Sequence, residues 1–324
     1  MATEKRSIKI FVFPFKFPYL KLNKLDIMAD TKNVFQQFKS LDPEQTQIVE
    51  TKKIDGTHTA QYWLNLLRKI AILDKEGDKV RLNSSLSIKM IVSGMVGFIS
   101  LFVALGTQIP YILIITALAA GLAIKFGIDN KKVKKLDLSN HLRSFLMPFL
   151  SIIKEDIPKK SKVQIKASFE ESDQQEYIVD QKQGNNKGYP KIKETYFKIP
   201  RLEFKATLID GTQIQLDYTD FVRKRNVTKR NPRGKIKHKV KYKIKHLVQI
   251  KLFFHNGIYN VGGSLDLPKN IAYTTKGQTH CFKTKLVEIV PDEMDCMPTK
   301  KVLAAIAGIY KRVQPVGKTN ADMQ

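Results

Sequence analysis

Two apolar runs separated by five residues constrain this chain more than anything else in it. Ile88 to Leu105 reads IKMIVSGMVGFISLFVAL, 18 residues with Lys89 as the only charge. Gly106-Thr107-Gln108-Ile109-Pro110 follows, and then Tyr111 to Ile128, YILIITALAAGLAIKFGI, whose only charge is Lys125. At 1.5 Å per residue each run makes a helix of about 27 Å, close to the ~30 Å hydrocarbon core of a bilayer. Both lysines lie near run ends, where the stem can carry the ammonium to the interface. Gly106 and Pro110 suit the tight turn of a helical hairpin. A buried hairpin in a large soluble core is the alternative, but two adjacent runs this long and charge-poor are unusual there.

Charge orients the pair. The turn has none, whereas Lys79, Arg81 and Lys89 flank the first run and Lys125, Lys131, Lys132, Lys134 and Lys135 flank the second. The positive-inside rule then places both termini in the cytoplasm, with a plasma or inner membrane as the expected host. Ser93 and Gly97 in the first run, and Ala117 and Gly121 in the second, recur at four-residue spacing. Small residues so placed allow close helix approach, within the hairpin or between copies of the chain.

The two flanks differ in character. Residues 1–27 form a basic, aromatic arm in which Pro14, Lys16 and Pro18 interrupt any signal-peptide core. An organellar presequence, a start at Met28 and a β-hairpin arm all fit it. Residues 28–85 read as helical. Asp42-Pro43-Glu44-Gln45 is a helix start, and Trp63, Leu66, Leu67 and Ile70 share one face of a second helix capped by Thr57 or Thr59. Lone Trp63 is expected to be a packing residue. After the second run, residues 129–158 hold a basic juxtamembrane segment. Leu138, Leu142, Phe145, Leu146, Phe149, Leu150 and Ile153 then recur at helical spacing, with Pro148 expected to bend the helix and Pro158 to end it. This helix either lies among headgroups or covers the core of the C-terminal domain.

Residues 159–324 are read as a β-rich domain. Val163, Ile165, Ala167 and Phe169 alternate, as do Leu202, Phe204, Ala206 and Leu208. Asp210-Gly211 then introduces Ile214, Leu216 and Tyr218, a hairpin signal. Thr299 to Arg312 reads as a closing helix. The expected fold is therefore an α+β membrane protein with a two-helix transmembrane hairpin (86–128), a helical N-terminal region and a mostly antiparallel β C-terminal cytoplasmic domain.

The chain has 324 residues with 56 Lys+Arg against 30 Asp+Glu, and most of the excess lies in the β-domain. Its most distinctive segment is Lys235 to Leu252, KIKHKVKYKIKHLVQIKL. Lys235, Lys237, Lys239, Lys241, Lys243, Lys245 and Lys251 take odd positions. Ile236, Val240, Tyr242, Ile244, Val248, Ile250 and Leu252 take even ones. On a strand this gives one apolar face and one row of lysines ~6.6 Å apart. Arg223, Lys224, Arg225, Lys229, Arg230 and Arg233 precede it in what reads as a polar loop, and no acidic residue occurs between Phe221 and Leu265. These arginines and Lys224, Lys229 and Lys235–Lys245 are the candidate anionic-partner site. The row fits a solvated strand face guarding an edge, docking on an anionic lipid surface or acidic protein, or phosphate contacts to nucleic acid. The leading expectation is a membrane-anchored, non-catalytic interaction protein. A membrane-tethered nucleic-acid or nucleotide-binding sensor is the alternative.

Catalytic signals are weak. Glu203-Phe204-Lys205 with upstream Asp180 matches an E-x-K metal-nuclease pattern, but alternation places Glu203 and Lys205 on a solvent face. His255, His280, Cys281 and Cys296 fit no zinc spacing, and two cysteines exclude a disulfide scaffold. The Asn260-Val261-Gly262-Gly263-Ser264 loop reads as a turn. The motif pair of the PilZ cyclic-dinucleotide module is not met, since Lys229 stands where its second arginine belongs and Ser264 is misplaced. No cofactor or metal is expected.

Overall fold

The structure, a computed structural model, describes residues 29–82, 85–107, 109–186, 189–230, 233–261, 268, 270–290 and 296–316. The basic N-terminal arm, the question of a start at Met28 and residues 262–264 lie outside the described residues.

The chain begins with two short helices, α1 (Ala29–Lys39) and α2 (Pro43–Thr51). Pro43 opens α2, and Asp42 and Gln45 form the expected capping box, in which Gln45 Oε1 accepts the Asp42 backbone N–H at 3.1 Å. Lys52, at φ 56°, ends the helix. The chain then enters a strand the sequence pattern did not reveal, β1 (Lys53–Thr59). Thr59 rather than Thr57 caps the long helix α3 (Ala60–Leu82), its hydroxyl accepting the Tyr62 N–H at 3.3 Å. Gly56 approaches this start closely, since a Cβ there would lie 3.2 Å from the Trp63 ring. Trp63 is buried and its indole donates to the Val163 carbonyl at 3.0 Å, so α3 packs on the sheet.

Two further helices, α4 (Ser85–Thr107) and α5 (Pro110–Lys135), are long and apolar enough to cross a membrane. They pack as a hairpin and turn their large apolar side chains outward: Phe98 is 63% and Leu105 69% exposed. The Ser100 and Thr116 hydroxyls meet at 2.8 Å between them. Of the small residues, Gly97 lies at the contact, where a Cβ would meet Ala119 at 3.4 Å, while Gly121 faces open space. The last turns of α5 leave the apolar stretch and bury Val133 in the main core.

The remaining chain builds one antiparallel sheet under a helical layer. Its strands are β2 (Lys162–Ser168), β3 (Ile178–Asn186), β4 (Tyr189–Thr207), β5 (Gln213–Arg230), β6 (Ile236–His255), β8 (Ile271–Lys276) and β9 (Thr279–Val290). The order is β1-β2-β4-β5-β6-β9-β8, with β3 on the N-terminal half of β4. A separate small pair joins β7 (Tyr259–Val261) to β10 (Val313–Pro315). The expected turn is present between β4 and β5, where Gly211 takes φ 80°. Leu142–Leu146 forms a π-helical turn that leads into α6 (Met147–Ile153). Pro148 has no N–H to give the Ser144 carbonyl, which instead takes the Thr299 hydroxyl at 3.5 Å. This segment covers the sheet rather than lying among headgroups: Phe149 packs edge-on against Phe204 and Phe145 against Tyr218. Helix α7 (Thr299–Tyr310) lies beside it. One core joins α1–α3, α6, α7 and the covered sheet face.

Candidate anionic-ligand interface

Beyond Asp220 the three long strands run on past the helical layer. A small second core of Phe197, Ile199, Val222, Ile244 and Val290 closes the junction. From there Phe221–Arg230 of β5, flanked by β4 and β6, extends as an arm of about 33 Å at ~3.3 Å per residue. The segment expected to be a polar loop before the lysine row is therefore a central strand. Arg223, Lys224, Arg225 and Lys229 lie in its ladder, and Arg230 pairs with Ile236. Burial alternation could not mark it, because beyond Val222 only Val227 is buried among the described residues of this stretch. Arg233 sits in the turn, and Lys235, just before β6, is exposed.

The register doubles the lysine row. Arg223 lies opposite Lys243, Arg225 opposite Lys241, Val227 opposite Lys239, Lys229 opposite Lys237, and Phe221 opposite Lys245. Directly opposed residues share a face, so these cations form two adjacent rows ~5 Å apart across the strands. One member is neutralised: Arg225 Nε is 3.1 Å from Glu194. Lys224 lies on the other face, 2.9 Å from Asp173 and over the Tyr242 ring. The opposite face of the ribbon also departs from expectation. Ile236 and Val240 are more than half exposed, and burial of the even positions begins only at Ile244, where the second core starts. Lys251 belongs to the body of the sheet, 3.6 Å from Asp217.

Two clefts open along the cationic face. One, of about 410 Å³, is lined by Arg223, Arg225, Lys241, Lys243 and Ile289. The other, of about 480 Å³, lies among Tyr189, Val227, Lys229, Lys237 and Lys239. Basic walls over an apolar floor suit a phosphate-bearing amphiphile. The base of the arm abuts the place where the apolar helices join the body. Tyr242 and Arg201 line one cavity with Arg81 at the end of α3 and Lys134 in the last turn of α5.

The metal-nuclease pattern is not assembled. Asp180 lies opposite Tyr196, seven residues along β4 from Glu203, about 23 Å away. Glu203 and Lys205 are exposed, as the alternation implied. His280 bonds Tyr273 at 2.8 Å, and His255 and Cys281 take separate places in the β6–β9 ladder.

Sequence reasoning missed a buried charge cluster at the root of the arm. A register shift in β4 turns Arg201 inward, where its Nε donates to Asp220 Oδ2 at 2.8 Å. His246 Nδ1 lies 2.6 Å from Asp220 Oδ1, and His141 Nε2 lies 3.1 Å from Oδ2. All four are buried. Burial alone would raise the Asp220 carboxyl, but His141, His246 and Arg201 together hold it well below the usual carboxylate range. Burial also lowers the His141 ring, against the pull of Asp220. The two histidines and Asp220 are close enough to share a metal ion. However, the guanidinium already holds the carboxylate where a cation would sit, so the cluster reads as a charge lock between body and arm. A second network, in which Asp74 meets Arg143 at 2.5 Å and Arg81 joins Asp78 to Asp137, fastens α3 to the π-helical turn and to the segment that follows α5. Burial pushes Asp74 up to about 6. No signal in the sequence could have paired these residues, which come together only in the folded core.

No family model matches this chain, and neither does any curated protein or solved structure.

Proposed function

We propose that the chain is a membrane-anchored, non-catalytic interaction protein whose basic arm docks on anionic headgroups of the membrane that α4 and α5 cross. Both termini then lie on the cytoplasmic side of a plasma or inner membrane. One observation carries the reading: Lys237–Lys245 and Arg223, Arg225 and Lys229 share one face of an arm whose base abuts the last turn of α5. Each basic residue near an anionic leaflet contributes about 1 kcal/mol, and the hairpin holds the arm at high effective concentration there. Nucleic acid would find the same cations but poorer stacking. Phe254 is fully buried, and Tyr242 lies on the other face beneath Lys224.

The test uses the full chain in nanodiscs of phosphatidylcholine alone or mixed with phosphatidylglycerol, reading tryptic cleavage between Lys229 and Lys245. Cleavage is expected to slow in the anionic discs, recover at high salt and stay slow when single-stranded RNA is added. Equal cleavage in both discs would overturn docking, and protection by RNA in neutral discs would favour nucleic acid.

A further inference from the structure

Where α5 leaves its apolar stretch, the chain builds a second basic feature that is independent of the arm. The apolar run ends at Ile128, and Lys131 to Lys135 lie about 5–10 Å further along the helix at 1.5 Å per residue. Measured from the edge of the hydrocarbon core, that is the depth of the headgroup layer. Their height is fixed by packing, because Val133, between them, is buried in the core. Beside this turn lies a cavity of about 720 Å³. Phe35 and Phe38 of α1, Val49 of α2 and Leu136 give it apolar walls. Lys52, Lys131, Lys132, Lys134 and Lys135 rim it, against only Glu50 and Glu171.

We propose that this cavity holds one anionic phospholipid, its phosphate among the lysines and its glycerol and first acyl carbons against Phe35, Phe38 and Leu136. An apolar wall with a cationic rim at headgroup depth selects an amphiphile with a negative head. Charge argues against the other occupants. Residues 1–27 carry six Lys+Arg against two acids, the same sign as the rim, and a second copy of the chain is itself strongly cationic. The inference rests on the membrane placement of α4 and α5 under Proposed function, but not on the arm.

Native mass spectrometry of the full chain in detergent, titrated with phosphatidylglycerol or phosphatidylcholine, tests it. One phosphatidylglycerol is expected to stay bound per chain under conditions that strip phosphatidylcholine. Lys131→Gln and Lys135→Gln, both exposed and harmless to the core, should each weaken retention about fivefold. A chain with Lys237, Lys239, Lys241 and Lys243 changed to glutamine should keep the lipid while its arm loses protection on anionic discs, read with proteinase K because the substitutions remove tryptic sites. The two readings therefore fail separately. Equal retention of the two lipids, or retention indifferent to the α5 lysines, would overturn the site. Displacement by glycerol 3-phosphate at the concentration of the lipid would overturn the apolar contacts. Stronger lipid retention on deleting residues 1–27 would show that this segment, not lipid, fills the cavity.

Discussion

Asp220 is a fully buried carboxylate held by three buried cationic or titratable partners. It is 1% exposed and meets Arg201, His141 and His246. Removing one partner from such a group leaves the others buried without compensation, so Asp220→Asn should cost about 3–5 kcal/mol by denaturant unfolding. The pH dependence has a definite sign. His141 titrates lower in the folded chain than its ordinary 6.5, so the unfolded state takes up a proton first and stability falls as pH drops below that value. Asp220 is also depressed, and its contribution is lost at the acidic end, below the unfolded carboxylate range. Asp74 works the other way. Its folded value is about 6 against 3.8, so between those limits it costs stability as pH rises. Melting curves between pH 5 and 7 should therefore steepen in favour of neutral pH with Asp74→Asn, which removes the opposing effect, and flatten with His141→Phe. Trp63 was legible in the sequence and the cap of its helix was narrowed to Thr57 or Thr59, because local spacing alone defines them. His141, Arg201, Asp220 and His246 were not, since they stand far apart along the chain and nothing local distinguishes them.

Among the elements, those with one face against the core were readable. The helix 142–153, the Asp-Gly turn and the body strands all announce themselves by period. Two elements were not. In β1, KIDGTHT, only Ile54 is buried, so no alternation exists to find. In the arm half of β5, FVRKRNVTKR, only Val222 and Val227 are buried among the described residues, five positions apart and on opposite faces, and the strand survives through its ladders to β4 and β6. This composition has a physical cost. Like charges directly opposite on a sheet are unfavourable, and Arg223 faces Lys243. Lys243→Glu is therefore expected to stabilise the fold by about 0.2–1 kcal/mol while weakening retention of the arm on anionic nanodiscs. A rise in melting temperature with unchanged docking would mean that the row is only a solvated face that guards the edge of β6.

At the scale of the molecule, the shared core imposes a topology that does not depend on counting charges. Trp63, Leu67 and Ile70, before the hairpin, and Phe145, Phe149 and Val302, after it, pack into one cluster with Ile165, Phe204 and Leu216. Both flanks of α4–α5 must therefore occupy one compartment, and a chain that crosses a bilayer between them must cross it an even number of times. Two helices meet that requirement. The same continuity means that residues 159–324 cut free would expose the helix-facing side of the sheet to water, so function must be measured on the whole chain. The arrangement is testable by labelling. In a chain with Cys281 and Cys296 changed to serine, Thr107→Cys at the hairpin turn and Gln213→Cys on the exposed sheet face test whether the two lie on opposite sides of the bilayer. A membrane-impermeant maleimide added to intact cells is expected to label Thr107→Cys and to reach Gln213→Cys only after permeabilisation. Labelling of both before permeabilisation would place the hairpin on a surface instead of through it. The lysines of α5 and the arm would then have to find their anionic partner without a bilayer to hold them against it.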